Sequence, residues 1–200
     1  SLHDALPICS TAIDCAGSKN GNGWFDTFPA ILLLCLAAIA PLLVVDFPPL
    51  VDLYGHLGRY AVQTDLANRP ELQPYFSYQW RFIGNLGADL LVEILHAPLG
   101  LEAAVRVVVV VTQLLAVAGI CLVSRELHER ITPFAVTALT LIYGLPFNYG
   151  FLNFSMSMAL GLLAFAVWMR LQRSSPSIVS RVWLAAVGMI IWVSHTFGWA

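Results

Sequence analysis

Asp52, His56, Arg59 and Gln63 in "VDLYGHLGRYAVQ" stand at i, i+4, i+7 and i+11, so a helix there carries all four on one face. A carboxylate, an imidazole and a guanidinium within two turns are the groups that move protons and hold anionic oxygens. A plainer alternative explains the same residues: Asp52 caps the helix start after Pro48-Pro49, and the others face water. On the opposite side of that helix, Leu50, Tyr54, Leu57 and Ala61 repeat the spacing and predict an oily face lying on a membrane interface. A second set, Asn85, Asp89, Glu93 and His96, recurs at i, i+4, i+8 and i+11 beside an apolar strip of Leu86, Leu90 and Ile94. If that helix packs across the first, the two polar stripes share a groove; otherwise Asp89 and Glu93 belong to a wet face. His195 in "WVSHTFGW" is an ionisable group inside an apolar run, a functional candidate or a locally satisfied imidazole.

The elements that position these groups are apolar. With 58% hydrophobic and only 11% charged residues among 200, and a mean hydropathy of +0.76, the chain is far too oily for an ordinary soluble domain. An all-α, polytopic transmembrane helical bundle is the expectation. Spans are predicted at about 28–45, 107–123, 131–147, 151–169 and 182–200, each close to the length needed to cross about 30 Å of hydrocarbon at about 1.5 Å per residue. The last is still apolar where the sequence stops, which predicts a fragment. The "VVVVV" run at 107–111 reads as a strand in water but as helix in lipid, where backbone groups must pair within the segment. Residues 46–106 form an outer-face insert holding two amphipathic interfacial helices. Two carboxylates in 83–97, and the Pro98 and Gly100 that end it, argue against that segment as a crossing. The loop "RLQRSSPSIVSR" carries Arg170, Arg173 and Arg181 without an acid, so it is predicted cytoplasmic. Counting crossings back places "SRELHER" and the N-terminus inside, and "YGLPFNYGF" and the insert outside.

Residues 1–27 are set apart as an artefactual or disordered segment. "SLHDALPI" resembles the translation of a sequencing adapter, and the stretch after it has no signal-peptide pattern. Cys9, Cys15, Cys35 and Cys121 show neither metal-ligand nor redox spacing, and no metal site is predicted. A net charge of −2 with 10 Lys+Arg excludes a nucleic-acid partner. Walker, "HExxH" and "GxSxG" patterns are absent from the sequence. Gln113 and Thr112 are mid-span polar groups expected to bond a neighbouring helix, and Asn153, Ser157 and Gly161, four apart, predict close helix packing.

"PPLVDLYGHLGRY", "WRFIGNLGADLLVEIL", "GLEAAVRVVV" and "YGFLNFSMSMALGLLAFAVWMRL" resemble a bacterial group of polytopic proteins near the GT-C glycosyltransferase superfamily, over residues 29–200. The order of elements, a first span followed by an acid, a juxtamembrane helix and a second interfacial helix, resembles the amino-terminal half of those enzymes. The resemblance implies transfer of a sugar from a polyprenyl-phosphate carrier to an acceptor hydroxyl at the outer face of the bacterial inner membrane. It makes Asp52 the catalytic carboxylate, accepting the acceptor's proton. His56 would bind phosphate or tune that carboxylate, Arg59 would pair with a lipid phosphate, and Asp89 and Glu93 would line the substrate groove. Arg81, beside Trp80 and near Tyr75, Phe76 and Tyr78, either belongs to an interfacial aromatic belt or lines the lipid-phosphate path. Many GT-C enzymes carry an adjacent Asp-Glu pair, whereas Leu53 follows Asp52 here, which puts a metal bridged by two neighbouring acids in doubt. Asp46 is a rival acid. Cofactors stay unassigned, and the fragment alone is expected to be inactive. A secondary transporter and a non-catalytic membrane protein are the alternatives: the first places its ionisable groups near the midplane, and the second makes Asp52 dispensable.

Overall fold

The computed structural model describes residues 23–173 and 177–199, and among these every regular element is helical. The helices are α1 (Phe28–Leu43), α2 (Leu53–Asp65), α3 (Gly87–Leu99), α4 (Leu101–His128), α5 (Pro133–Ala138), α6 (Leu145–Asn148), α7 (Leu152–Gln172), α8 (Ile178–Ser194) and α9 (Thr196–Trp199). The adapter-like residues, Cys9 and Cys15 lie outside the described residues. The last residues of the segment set apart at the N-terminus lie among the described residues. Trp24–Asp26 forms a 3-10 turn, and the Asp26 carboxylate accepts from Arg125 Nε at 2.9 Å and from the Ile131 N–H at 3.1 Å.

Two helices, α4 and α7, are long and apolar enough to cross a membrane, while α1 and α8 are shorter apolar helices. The valine run is helical within α4, which extends beyond its predicted span at both ends. Gly100, at φ +81°, starts it and shortens the insert to residue 100; Glu129, at φ +59°, ends it.

The predicted span 131–147 is a broken path: α5, a 3-10 stretch at Leu139–Tyr143, an extended Gly144, then α6. Pro146 explains the break, because it has no N–H to continue the preceding helix and sits well in the first turn of a new one. Gln113 Nε2 donates to the freed Ile142 carbonyl at 3.1 Å, and Asn148 Nδ2 to that of Tyr143 at 2.6 Å. The span predicted at 182–200 likewise starts earlier and stops earlier. A Ser177–Ser180 capping box opens α8, and the chain turns extended at His195, so this imidazole sits at a helix break.

Successive paths alternate between two ends. At one end lie Asp26, Arg125 and Ile131, together with Arg173, whose Nη1 stands 3.0 Å from Glu126 Oε2. At the other, Val51 and Asp52 donate backbone N–H groups to the Asn148 and Tyr149 carbonyls at 3.1 and 2.9 Å, and Leu86 N donates to Val193 O at 2.8 Å. At this second end α2 and α3 pack with the first half of α4 around Leu53, Tyr60, Val92, Val105 and Val109, joined by Phe147, Leu152 and Met156.

The face of α2 that packs inside the bundle carries Leu53 and Tyr60, while Tyr54, of the face predicted to lie on a membrane interface, stays outside. Leu53 and Tyr60 are fully buried, whereas Tyr54 is 62% exposed, because α2 packs against α4 and turns Tyr54 outward. In α3 the polar stripe is the inner one: Asp89 is fully buried, whereas Ile94 of the apolar strip is 70% exposed.

Candidate functional site

Asp52 occupies the N-cap position of α2, yet its side chain accepts no N–H from the helix. The capping alternative therefore fails, and the reason lies one turn on: His56 Nε2 stands 3.3 Å from Asp52 Oδ2. Gly150, at φ +87°, fixes the backbone beneath this carboxylate. Its Cα hydrogen faces the Asp52 and Leu53 amides, which a Cβ would approach to 3.1 Å.

Behind His56 runs a chain of polar contacts. Arg59 Nη2 lies 3.4 Å from His56 Nδ1, and Arg59 Nη1 donates to Asp89 Oδ1. A guanidinium only donates, so Nδ1 must be the acceptor, and the His56 proton then resides on Nε2, facing Asp52. Burial, and after it the Arg59 charge, hold the His56 pKa below its ordinary value of 6.5, against the opposite pull of Asp52 and Asp89. A neutral imidazole with its Nε2 proton 3.3 Å from the Asp52 carboxylate follows from both arguments.

Asp89 is the buried anchor of this chain. Asn153 Nδ2 donates to Asp89 Oδ2 at 3.0 Å and to the Asn85 carbonyl at 3.1 Å, while Asn153 Oδ1 accepts the Ala88 N–H. Gln63 Nε2 bonds the Asp89 carbonyl at 3.0 Å and Glu93 Oε2 at 2.9 Å. The two polar stripes thus meet face to face. The wet-face alternative is overturned for Asp89, because α3 packs its inner side against α2 and α7. Tyr60 is buried beside them with its hydroxyl unpartnered among the described residues; burial and then the Asp89 charge raise its pKa far above the ordinary phenol.

Asp52 and His56 open onto a cavity of about 520 Å³ lined also by Asn85, Pro146, Phe151, Asn153, Phe154, His195 and Phe197. His195 reaches it because the break after α8 is pinned to the segment before α3: Thr196 N donates to Gly84 O at 3.0 Å. Close approach there depends on glycine, since a Cβ at Gly87 would stand 2.8 Å from Ser194 Cα. A second, apolar cavity of about 380 Å³ lies between α4, the broken path and α7, and shares Pro146 and Phe154 with the first.

The expected residues therefore divide. Asp52 and His56 line the cavity, Arg59 and Asp89 form the ion pair behind it, and Glu93 sits a turn farther along α3 on Gln63. Arg81 is exposed, lines neither cavity and makes no hydrogen bond or ion pair among the described residues. Asp46 is exposed and lies outside the cavity. Sequence spacing placed Asn85 in the second polar stripe without giving it a role, and did not reveal Asn153 and Phe197 as site residues. Asn153 looked like a packing position, and its bonds reach residues 64 to 68 positions away, which no local pattern encodes. No three His, Cys, Asp or Glu side chains among the described residues are grouped to hold a metal ion. No protein-family model, curated protein or solved structure matches the chain.

Proposed function

We propose that the chain is a polytopic membrane glycosyltransferase of the GT-C type, moving a sugar from a polyprenyl-phosphate donor to an acceptor hydroxyl at the outer face of the bacterial inner membrane, its N-terminus cytoplasmic. The observation that carries this reading is the Asp52 carboxylate: released from helix capping, held by His56, and presented to a cavity at one end of the helical bundle. Asp52 accepts the acceptor's proton as its oxygen attacks the anomeric carbon. His56, backed by Arg59 and Asp89, orients the base.

The membrane setting is supported by an inverted surface. Leu32, Leu33, Leu36, Leu141, Phe165, Met189 and Ile190 are exposed while Gln113, Asn153 and Ser157 are buried. Such a pattern suits lipid outside and polar contacts inside. The apolar cavity next to the Asp52 cavity fits a hydrocarbon chain attached to a polar head. A single observation favours secondary transport instead: two helical paths are broken, and one break presents an ionisable His195. The acids, however, gather at the end of the bundle and not along its middle.

The experiment is Asp52→Asn in the native membrane, with lipid-linked sugars profiled by mass spectrometry. Loss of one general base lowers transfer by about a hundredfold or more, so a donor lipid should accumulate. An unchanged profile with normal membrane insertion overturns the assignment. Cysteine placed at exposed Asn68, in a background lacking the other cysteines, should react with an impermeant thiol reagent from the outer side.

A further inference from the structure

Arg59 is paired with the fully buried Asp89 carboxylate and does not line the cavity. The cavity must therefore hold an anionic oxygen by other means, and its remaining polar lining is neutral. His195 Nδ1 accepts the Phe197 N–H at 3.2 Å. A backbone N–H is only a donor, so Nδ1 is bare and the imidazole proton sits on Nε2. That Nε2 has no hydrogen-bond partner among the described residues. The ring is clamped, stacked on Phe197 at 5.6 Å and edge-on to Phe154 at 5.5 Å. Asn85 lines the same cavity on the segment that Thr196 and Leu86 bond to the α8 break, and its side-chain amide is likewise without a partner among the described residues.

We propose that His195 Nε2–H and the Asn85 amide bind the phosphate of the lipid-linked substrate, making His195 a second catalytic residue in the cavity that Asp52 lines. This rests on the glycosyltransferase reading for its chemistry, though the phosphate site itself does not need that reading. In the transfer step the acceptor oxygen forms the new bond to the anomeric carbon, and its proton goes to Asp52. The bond from that carbon to the phosphate oxygen breaks with its electron pair, leaving the lipid monophosphate. Its extra negative charge develops beside His195 and Asn85, which donate hydrogen bonds and transfer no proton. Neutral donors fixed by packing suit such a role, because they need no reorganisation as charge appears. Burying a free arginine there would demand a counter-charge once the product had left.

The test is equilibrium binding of polyprenyl monophosphate to the protein in nanodiscs, against polyprenol and inorganic phosphate as controls. Wild type should prefer the monophosphate over polyprenol by about tenfold or more, the worth of a hydrogen bond to a charged group. His195→Phe, which keeps the aromatic packing, should erase that preference, and His195→Gln, which keeps a donor, should hold most of it. Asn85→Ala, at an exposed position, covers the case in which His195→Phe fails to fold, and should weaken the monophosphate by about fivefold. Competition by millimolar inorganic phosphate without any polyprenol effect assigns the site to free phosphate and overturns the lipid claim. Equal binding of monophosphate and polyprenol by wild type, or an unaltered preference in folded His195→Phe or in Asn85→Ala, overturns the proposal. A His195-dependent preference in a protein whose Asp52→Asn variant leaves sugar profiles unchanged keeps this site and removes the transferase reading, so the two failures are separable.

Discussion

Replacing Arg59 with methionine tests the polar chain behind the cavity at its most exposed link. Asp89 is fully buried and Arg59 is 41% exposed, so the variant leaves a carboxylate in the interior with Asn153 Nδ2 as its remaining side-chain donor. Breaking a buried pair by removing one partner costs about 3–5 kcal/mol. Water already reaches the guanidinium and can enter where it stood, which places this site at the lower end, about 3 kcal/mol. For a chain of this size about 1 kcal/mol moves the melting temperature by about 2–4 °C, so Arg59→Met should melt about 6–12 °C below wild type in the same detergent. Adding Asp89→Asn removes the stranded charge and should recover much of that loss, although Asn alone at this position breaks the pair from the other side. The non-additivity of the two substitutions is the decisive quantity. Should Arg59→Met melt within about 2 °C of wild type, or the double variant prove no better than the sum of the singles, Asp89 is not held by Arg59 and the account of His56 orientation fails with it.

His56 carries the pH prediction. Its folded pKa lies below the 6.5 of the free imidazole, so the unfolded chain binds the proton first and stability drains as pH falls below about 6.5, through the folded value. Melting curves at pH 7.5 and 5.5 should therefore separate more for wild type than for His56→Gln; equal separations refute the shift. Gly150→Ala puts a side chain at φ +87° and a Cβ 3.1 Å from the Asp52 and Leu53 amides. The backbone term alone is about 1–2 kcal/mol, and because the crowding is against backbone, the start of α2 must move. Sugar transfer should fall further than the melting temperature predicts, and a variant with full transfer would show that Asp52 is not placed by this contact.

Helix content was legible because it rests on local rules. The apolar runs, Pro48-Pro49 before α2 and Gly100 between α3 and α4 all mark where the chain bends. The two polar stripes were legible as stripes for the same reason. What they face was not, since Asp89 reads equally as a wet residue until α7 brings Asn153 against it. The breaks at Gly144 and His195 were missed for a related cause. Apolar composition is continuous through both: Pro146 breaks the first, and a long-range partner satisfies the backbone freed at each, Gln113 for the Ile142 carbonyl and Gly84 for the Thr196 amide. The inner column of α2 was hidden for a simpler reason: at this spacing Leu53–Tyr60 and Tyr54–Ala61 both form apolar columns, and only the position of α4 decides which one packs inside the bundle.

The breaks and the site are connected. A continuous α8 would carry His195 on its own helical turn with Nδ1 and Nε2 both available, whereas the extended residue turns the ring onto Phe197 and uses one nitrogen there. The same extended residue lets Thr196 bond the Gly84 carbonyl, which brings Asn85 and the imidazole to the lining of one cavity. On the facing side, Gly150 admits the Asp52 and Leu53 amides and the Asn148–Tyr149 carbonyls bind the chain just before α2. Each wall of the cavity is thus held by a place where a helix ends and its free backbone groups bond another segment. Helix ends in an apolar bundle need such partners to avoid unpaired polar groups. The requirement that closes the backbone of this fold is therefore what brings Asp52, His56, Asn85 and His195 to one space.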